Sequence, residues 1–190
     1  MIYPIVAYGD PVLRKPAEDI EQGSLDVKEL AADMFETMYA ANGVGLAGPQ
    51  IGKGLRIFVV DTEEMEIEGE DMTGFKKAFI NPEIIEEAGE DWPFEEGCLS
   101  IPNIREEVER AEELTIRYYD VDWNLHEETY DGVKARVIQH EYDHIEGILF
   151  TDHISAFKKR LLKGRLANIS KGEVKVDYKM TFPAQKKARR

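Results

Sequence analysis

The sequence has few of the features that mark secreted or membrane-spanning proteins. It contains a single cysteine, Cys98, so an intramolecular disulfide is excluded and stability must come from the core, the hydrogen bonds and any bound metal. No run of 18 apolar residues is present to cross a bilayer, and residues 1–10 lack the basic and apolar regions of a signal peptide. We therefore expect a cytoplasmic protein without a membrane partner.

Positive charge is also scarce. The chain has 24 Lys and Arg against 38 Asp and Glu, which gives a net charge of -14 at pH 7. Such a surface repels a phosphate backbone, so broad nucleic-acid binding is excluded and DNA is not an expected partner. Residues 158–190 are the exception, with twelve Lys or Arg and two acids. This asymmetry allows one local basic contact, and a solvated helix face with a frayed end is the simpler interpretation.

No internal repeat and no long linker rich in Gly, Ser or Pro divides the chain. Its 190 residues are enough for one domain that buries most of its surface. We therefore predict a single domain over residues 1–190, with a basic C-terminal extension from about residue 158.

Helical spacing marks two segments. Apolar residues after Ser24, an expected N-cap, predict an amphipathic helix that ends at Asn42 and Gly43. The glycine-rich residues 43–50 that follow predict irregular or edge-like backbone. Apolar residues again have helical spacing over residues 133–146, which predicts a second helix that ends at Gly147.

Strand patterns fill much of the remaining sequence. Residues 55–60 are β-branched and apolar, residues 78–80 are a short apolar run, and residues 114–118 alternate before an expected hairpin at residues 122–124. Near the C-terminus we predict a short helix and a strand, over residues 157–162 and 174–180. The class predicted is α+β, with antiparallel strands packed around a central helix, the one over residues 133–146.

That central helix carries the strongest motif, His140-Glu141-Tyr142-Asp143-His144. Residues four apart lie one above the other on a helix, so the two imidazoles can bind one metal ion. The glutamate between them then projects toward a metal-bound water. The pattern indicates a metallohydrolase site.

A catalytic metal needs a third protein ligand and one open position. Cys98 is a candidate because Gly97 lets the backbone come close and a thiolate binds a borderline-soft ion tightly. Spacing alone does not select Cys98 over Asp143, Glu146 or His153.

Three segments in this order resemble the motifs of the peptide deformylase family: residues 43–50 (GVGLAGPQ), residues 96–100 (EGCLS) and residues 139–144 (QHEYDH). The resemblance extends over more than half the chain. It implies a metal-dependent hydrolase that removes the formyl group from the formyl-methionine of new peptides, releasing formate during N-terminal processing in protein biosynthesis.

The resemblance also implies the roles of several residues. The metal ligands are one thiolate and two imidazoles, from Cys98, His140 and His144. Glu141 is implied as the general base that later protonates the leaving amine. Gln50 and the backbone N–H of Leu99 resemble the family's oxyanion donors. The implied ion is Fe²⁺ physiologically, and Zn²⁺ fits the same ligands and is expected in some purified preparations.

The implied substrate is an extended formyl-methionyl peptide. Residues Gly43, Val44 and Gly45 resemble the strand against which the family pairs peptide backbone. Arg136 and Val137 share a helix face with His140 and, with Val44, are predicted walls of the methionine pocket. Arg105 matches a position near substrate, and the pair Glu96 and Arg110 matches a supporting salt bridge.

Two positions depart from the family pattern. Ile145 replaces a leucine, which conserves volume. Gly48 stands where alanine is usual, which loosens the backbone two residues before Gln50. We expect the Gly48→Ala variant to be equally or more active.

Two other classes of function stay open on the residues alone. A peptidase with the same helix motif would cleave internal amides instead of the formyl group. A binding module would use the metal structurally and dock a partner through the basic C-terminal region, but a structural site needs no base such as Glu141. We also predict that residues 158–165 contact ribosomal RNA where new chains emerge, because that region is basic.

Overall fold

The computed structural model describes residues 1–183, and this part of the chain has three α-helices and seven β-strands. The helices are α1 (Val27–Ala40), α2 (Gly132–Ile145) and α3 (Ala156–Lys171). The strands are β1 (Ile5–Val6), β2 (Gly45–Ala47), β3 (Ile57–Asp61), β4 (Lys76–Cys98), β5 (Ile101–Tyr119), β6 (Leu125–Asp131) and β7 (Met180–Thr181). Within residues 1–183 no helix is long and apolar enough to traverse a bilayer.

Five strands form one antiparallel sheet in the order β2-β3-β4-β5-β6, and β1 pairs with β7 in a separate parallel ribbon. Strands β4 and β5 are long, with 23 and 19 residues, and pair along most of their length. Four register shifts interrupt that pairing, and such bulges bend a strand pair and increase its twist. The predicted α+β class is confirmed.

Helix α1 begins two residues later than the sequence indicated. The side chain of Asp26 accepts hydrogen bonds from the backbone N–H groups of Lys28 and Glu29, so Asp26 and not Ser24 is the N-cap. The hydroxyl of Ser24 instead donates to the carbonyl of Glu21 within a turn. The helix buries Met34 and other apolar side chains against the sheet.

Helix α2 is the most buried helix and packs against β2, β3, β5 and β6. Its N-cap residue, Asp131, makes no capping bond. The carboxylate of Glu70, from the loop between β3 and β4, accepts from the N–H of Val133 at 2.9 Å and places negative charge at the positive end of the helix. The helix ends before Gly147, which has a φ of 76°.

The C-terminal region differs from the sequence prediction. Helix α3 extends to Lys171, well beyond the predicted residue 162, and ends at Gly172, which is in the left-handed conformation. The predicted strand over residues 174–180 is wrong except for its last residue, which begins β7. Exposed and half-buried residues do alternate there, as in a strand, but residues 174–179 do not pair with a neighbouring strand. The basic extension includes α3, and residues 184–190 lie outside the described part.

Candidate metal centre and active site

A cavity of about 770 Å³ opens between α2, the turn that joins β4 to β5, and the edge of the sheet at β2. Each of the three sequence motifs contributes to its wall. The motif residues that line it are Gly43, Val44, Gly45, Gln50, Glu96, Gly97, Cys98, Leu99, His140 and Glu141. The tertiary structure therefore brings distant motifs to one concave site, as expected for a ligand pocket.

The structure brings Cys98 together with both motif histidines. One ligand atom from each of Cys98, His140 and His144 lies within 4.8 Å of the others, and the Cys98 sulfur is 3.3 Å from Nε2 of His144. The other third-ligand candidates are engaged elsewhere. Asp143 accepts from Arg110, at 2.8 Å. Glu146 pairs with an arginine, and His153 pairs with Asp143.

A buried carboxylate fixes the orientation of His140. The Nδ1 atom of His140 lies 2.8 Å from Glu96, which leaves Nε2 to face the cavity. Arg110 binds Glu96 through two bonds of 2.7 and 3.1 Å, and Arg136 adds a third at 3.2 Å. Burial opposes ionisation, but His140 and Arg110 hold the pKa of Glu96 well below its ordinary value. The predicted salt bridge thus also orients an imidazole.

The thiol of Cys98 lies in an environment that favours its ionised form. Burial raises its pKa, but the charge of His144 and a hydrogen bond with His140 outweigh this and lower the pKa of Cys98 to about 5. The thiolate is the form that binds a metal. One thiolate and two imidazoles, close together and partly sheltered, fit a divalent ion that keeps a position open.

Glu141 lies beside this donor set and is 4 % exposed. Its Oε2 atom is buried without a hydrogen-bond partner in the described residues. A buried polar atom without a partner is uncommon and needs an explanation, which a catalytic role beside the donor set would supply. Burial raises the pKa of Glu141 to about 7, which suits a group that takes up and releases a proton near neutrality. A Cβ at Gly45 would lie 2.3 Å from Oε1 of Glu141, so only glycine leaves room for the carboxylate.

Gln50 has a fixed orientation in the cavity. Its Oε1 accepts from the N–H of Ala47 at 2.8 Å, so its NH₂ group points toward Cys98 and Ser100, each at 3.4 Å. Leu99 lies in the turn after Cys98 and lines the same cavity.

The predicted substrate strand is an edge strand. Gly45 in β2 pairs with Val60 in β3, and β2 has no second neighbour within residues 1–183. An open edge of this kind can accept an extended peptide. Val44 is 38 % exposed and contributes to the cavity wall.

The other predicted pocket residues have different positions. Val137 lines the cavity and is buried. Arg105 lies at its exposed mouth and pairs with Glu95 at 2.8 Å. Arg136 also lines the cavity, but its guanidinium is buried and donates to the carbonyls of Val108 and Trp92 as well as to Glu96. Its charged group therefore supports the site from beneath.

Sequence reasoning did not find several residues of the cavity. Pro102 and Asn103 closely follow the EGCLS segment, so that motif gave a signal for its neighbours. Several come from segments without a chemical motif, among them Met65, Ile104, Lys175, Val176, Asp177 and Tyr178.

The structure argues against the expectation for Gly48. A Cβ added at Gly48 would lie 2.6 Å from the carbonyl oxygen of Leu55 and 3.1 Å from that of Lys53. Both are backbone atoms, so moving them costs more free energy than moving the end of a flexible side chain. We now expect Gly48→Ala to lower the melting temperature, with a cost of about 1–3 kcal/mol from overpacking, and to lower activity by displacing Gln50.

Thermal denaturation and formate release test this prediction. The matched control is Gly54→Ala, because a Cβ at Gly54 meets nothing within 4 Å. Equal melting temperatures for the two variants would contradict the steric argument.

Comparison with known proteins agrees with the geometry. The family model described as polypeptide deformylase matches residues 2–160, most of the chain. The chain belongs to the peptide deformylase family. A peptide deformylase of Cytophaga hutchinsonii is 62% identical over 186 residues, which cover 98% of this chain and 100% of the relative. A peptide deformylase of Christiangramia forsetii is 57% identical, and the match covers 100% of this chain and 100% of the relative.

Solved peptide deformylases have the same fold. The structure from Thermus thermophilus has a TM-score of 0.80 and 38% identity, and the match covers 91% of this chain and 100% of that one. The structure from Thermotoga maritima has a TM-score of 0.73 and 41% identity, over 82% of this chain and 99% of that one.

Membership in this family establishes the reaction. The protein is a metal-dependent hydrolase that removes the formyl group from the N-terminal formyl-methionine of newly made peptides. The alternatives of an internal peptidase and of a metal-stabilised binding module are not supported.

Proposed function

We propose that deformylation uses Cys98, His140 and His144 to hold one divalent ion, with Glu141, Gln50 and Leu99 as the catalytic groups. The observation that carries this proposal is the cluster of the three ligand atoms within 4.8 Å, beside a buried carboxylate without a partner in the described residues.

A divalent ion bound there supplies Lewis-acid chemistry, since it lowers the pKa of water and polarises a carbonyl. Glu141 accepts a proton from the attacking water as its oxygen bonds to the formyl carbon. The carbonyl oxygen then carries negative charge, which the Gln50 NH₂ group and the Leu99 N–H stabilise by hydrogen bonds. Glu141 passes its proton to the amide nitrogen as the C–N bond breaks, leaving formate and a free amino terminus.

The substrate lies along the open edge of β2. Its backbone pairs with residues Gly43, Val44 and Gly45, and its methionine side chain enters the cavity beside Val137. The aliphatic stem of Arg136 forms part of the wall, while Arg105 stands at the mouth near the following residues.

The metal in the working enzyme is proposed to be Fe²⁺, with Zn²⁺ present in some purified preparations. The donor set of one thiolate and two imidazoles is compatible with both ions. The test is to load metal-free protein anaerobically with either ion and to measure formate release from a formyl-methionyl peptide at equal metal content. We expect faster turnover with Fe²⁺. A zinc form that is at least as fast would overturn the assignment.

The same assay on an unformylated peptide, followed by mass analysis, checks the type of bond that is cleaved. We expect no internal cleavage with either ion. Cleavage of an internal amide in this peptide would contradict the proposed arrangement of Glu141 and the donors.

We further propose a cytoplasmic enzyme that meets its substrates at the ribosome through the basic face of α3. Lys158 pairs with Glu106 at 2.9 Å, and Lys159 donates to the carbonyl of Asp152, so these residues also hold the helix in place. Arg160 and Lys163 are exposed and make no ion pair within residues 1–183. Both are therefore available to contact a phosphate backbone.

Co-sedimentation with ribosomes at increasing salt tests this contact. Reversing Arg160 and Lys163 to glutamate should weaken binding by about tenfold or more and reduce its salt dependence. The control reverses two exposed cations outside α3, Lys15 and Lys28, which gives the same net charge; Lys28 pairs with Asp122 at 2.6 Å, so the melting temperature of this variant is measured as well. Equal losses in both double variants would overturn the assignment to α3.

A further inference from the structure

The C-terminal segment forms part of the active-site cavity although it lies beyond the family match. The match ends at residue 160, yet residues 175–178 line the cavity opposite α2. Two contacts hold the segment in place. The side chain of Asn103 donates to the carbonyl of Lys175 at 3.1 Å, and β7 pairs with β1.

Tyr178 is the residue of this segment that contacts a proposed catalytic group. Its hydroxyl donates to the carbonyl oxygen of Leu99 at 2.7 Å, and its ring is half-buried among apolar neighbours. Burial, followed by the nearby charges of Cys98 and Asp177, raises the pKa of Tyr178 above its ordinary value. The hydroxyl therefore stays protonated and remains a donor at neutral pH.

The turn that carries Leu99 is held from three directions. The N–H of Tyr8, just after β1, donates to the carbonyl of Ser100 at 2.9 Å. Gln50 contacts the Ser100 hydroxyl at 3.4 Å. Tyr178 alone among the side chains of residues 1–183 binds the carbonyl of Leu99. Because the N–H of Ile5 donates to the carbonyl of Lys179 at 2.8 Å, the two terminal segments form one brace around the turn.

We propose that Tyr178 is a positioning residue for deformylation. Its bond holds the Leu99–Ser100 peptide, and through the Leu99 Cα this limits rotation of the preceding peptide, so that the Leu99 N–H is directed into the cavity. This inference rests on the role proposed above for the Leu99 N–H. A turn without its own side-chain anchor can rotate its peptide planes, and a donor that reorients loses much of its effect on a developing charge. The effect belongs in kcat, since the donor acts on charge that forms in the transition state.

The test is the Tyr178→Phe variant of the full chain loaded with Zn²⁺, which is diamagnetic. It keeps the ring and removes the hydroxyl. The matched control is Tyr3→Phe, because Tyr3 is also half-buried and loses a hydroxyl bond, to Asp33 at 3.4 Å, outside the cavity-lining residues. Three quantities are measured: kcat and KM for a formyl-methionyl peptide, the melting temperature, and the NMR order parameter of the Leu99 amide.

We expect Tyr178→Phe to lower kcat by about tenfold with little change in KM. This decrease is smaller than the decrease in kcat of about 100- to 1000-fold that follows the loss of an oxyanion donor itself. The order parameter of the Leu99 amide should fall from about 0.85 toward about 0.6. Tyr3→Phe should change neither quantity.

Each other result overturns a specific claim. If kcat and the order parameter both stay at wild-type values, the positioning role of Tyr178 is wrong. If both tyrosine variants lose activity in proportion to melting temperature, the role of Tyr178 is only structural. If the Leu99 amide becomes mobile while kcat is unchanged, Leu99 is not an oxyanion donor, and the proposed function of that group fails instead.

Discussion

Replacing Glu141 by glutamine is expected to lower turnover by about 100- to 10,000-fold while metal content stays at the wild-type level. The amide has almost the same shape but cannot accept a proton from water. The Glu141 side chain is tightly enclosed next to Gly45, so glutamine, which has nearly the same shape, is a better substitution than a residue of different size. The melting temperature should be equal or higher, because Oε2 of Glu141 is buried without a partner in the described residues.

Glu146→Gln is the control for this experiment. Glu146 directly follows α2 and pairs with Arg56 at the partly exposed end of the helix. Its substitution should leave both turnover and metal content unchanged. Wild-type activity in Glu141→Gln would show that another group carries the proton. If that variant instead loses its metal, the loss of turnover would be due to weaker metal binding and not to the missing proton acceptor.

The second large effect is expected from Cys98→Ala. Removal of the thiolate leaves two imidazoles, and we expect metal affinity to fall by more than about 100-fold, since even the loss of a residue that only supports a ligand costs about 10- to 100-fold. Turnover should fall with metal content. Metal analysis of the purified variant, with formate release at saturating added metal, measures both quantities.

His153→Asn is the matched control for Cys98, because sequence spacing left His153 open as a third ligand. Its ring is bound to Asp143 at 2.7 Å, so we expect the variant to retain its metal. Full metal occupancy in Cys98→Ala, or loss of metal from His153→Asn, would overturn the proposed donor set. Together with Glu141→Gln, these variants separate the loss of metal from the loss of the proton carrier.

Buried charges behind the site explain why His140 is held firmly. Glu96 bonds to His140 on one side and to Arg110 on the other, and Arg110 continues to Asp143. Removing one partner from such a pair leaves an uncompensated buried charge, which is strongly destabilising. Stability and ligand orientation therefore depend on the same residues.

Local sequence patterns determined much of this protein. The periodicity of apolar residues placed α1 and α2 to within a few residues, and it indicated the hairpin before β6. The two histidines and the glutamate of α2 were readable because positions four apart share a helix face. The chemistry of a thiolate made Cys98 a candidate ligand, and the family resemblance indicated Gln50 and implied a role for each.

Other features depended on contacts between distant parts of the chain. The lengths of β4 and β5 were not readable, because their many exposed glutamates obscure the alternation and pairing with each other defines their extent. The carboxylate that orients His140 lies 44 residues before it. Helical spacing says nothing about such a partner.

The proposed third metal ligand and the C-terminal brace are the clearest cases. Local spacing could not choose Cys98, whereas the end of β4 places its sulfur 3.3 Å from Nε2 of His144. The contact of Tyr178 with Leu99 joins residues 79 positions apart and exists because β7 pairs with β1. The sequence determined the chemical groups and the local faces on which they lie, because those follow from the periodicity of the backbone. Tertiary packing decided which groups meet, because distances between remote residues are set by the pairing of strands and the burial of α2.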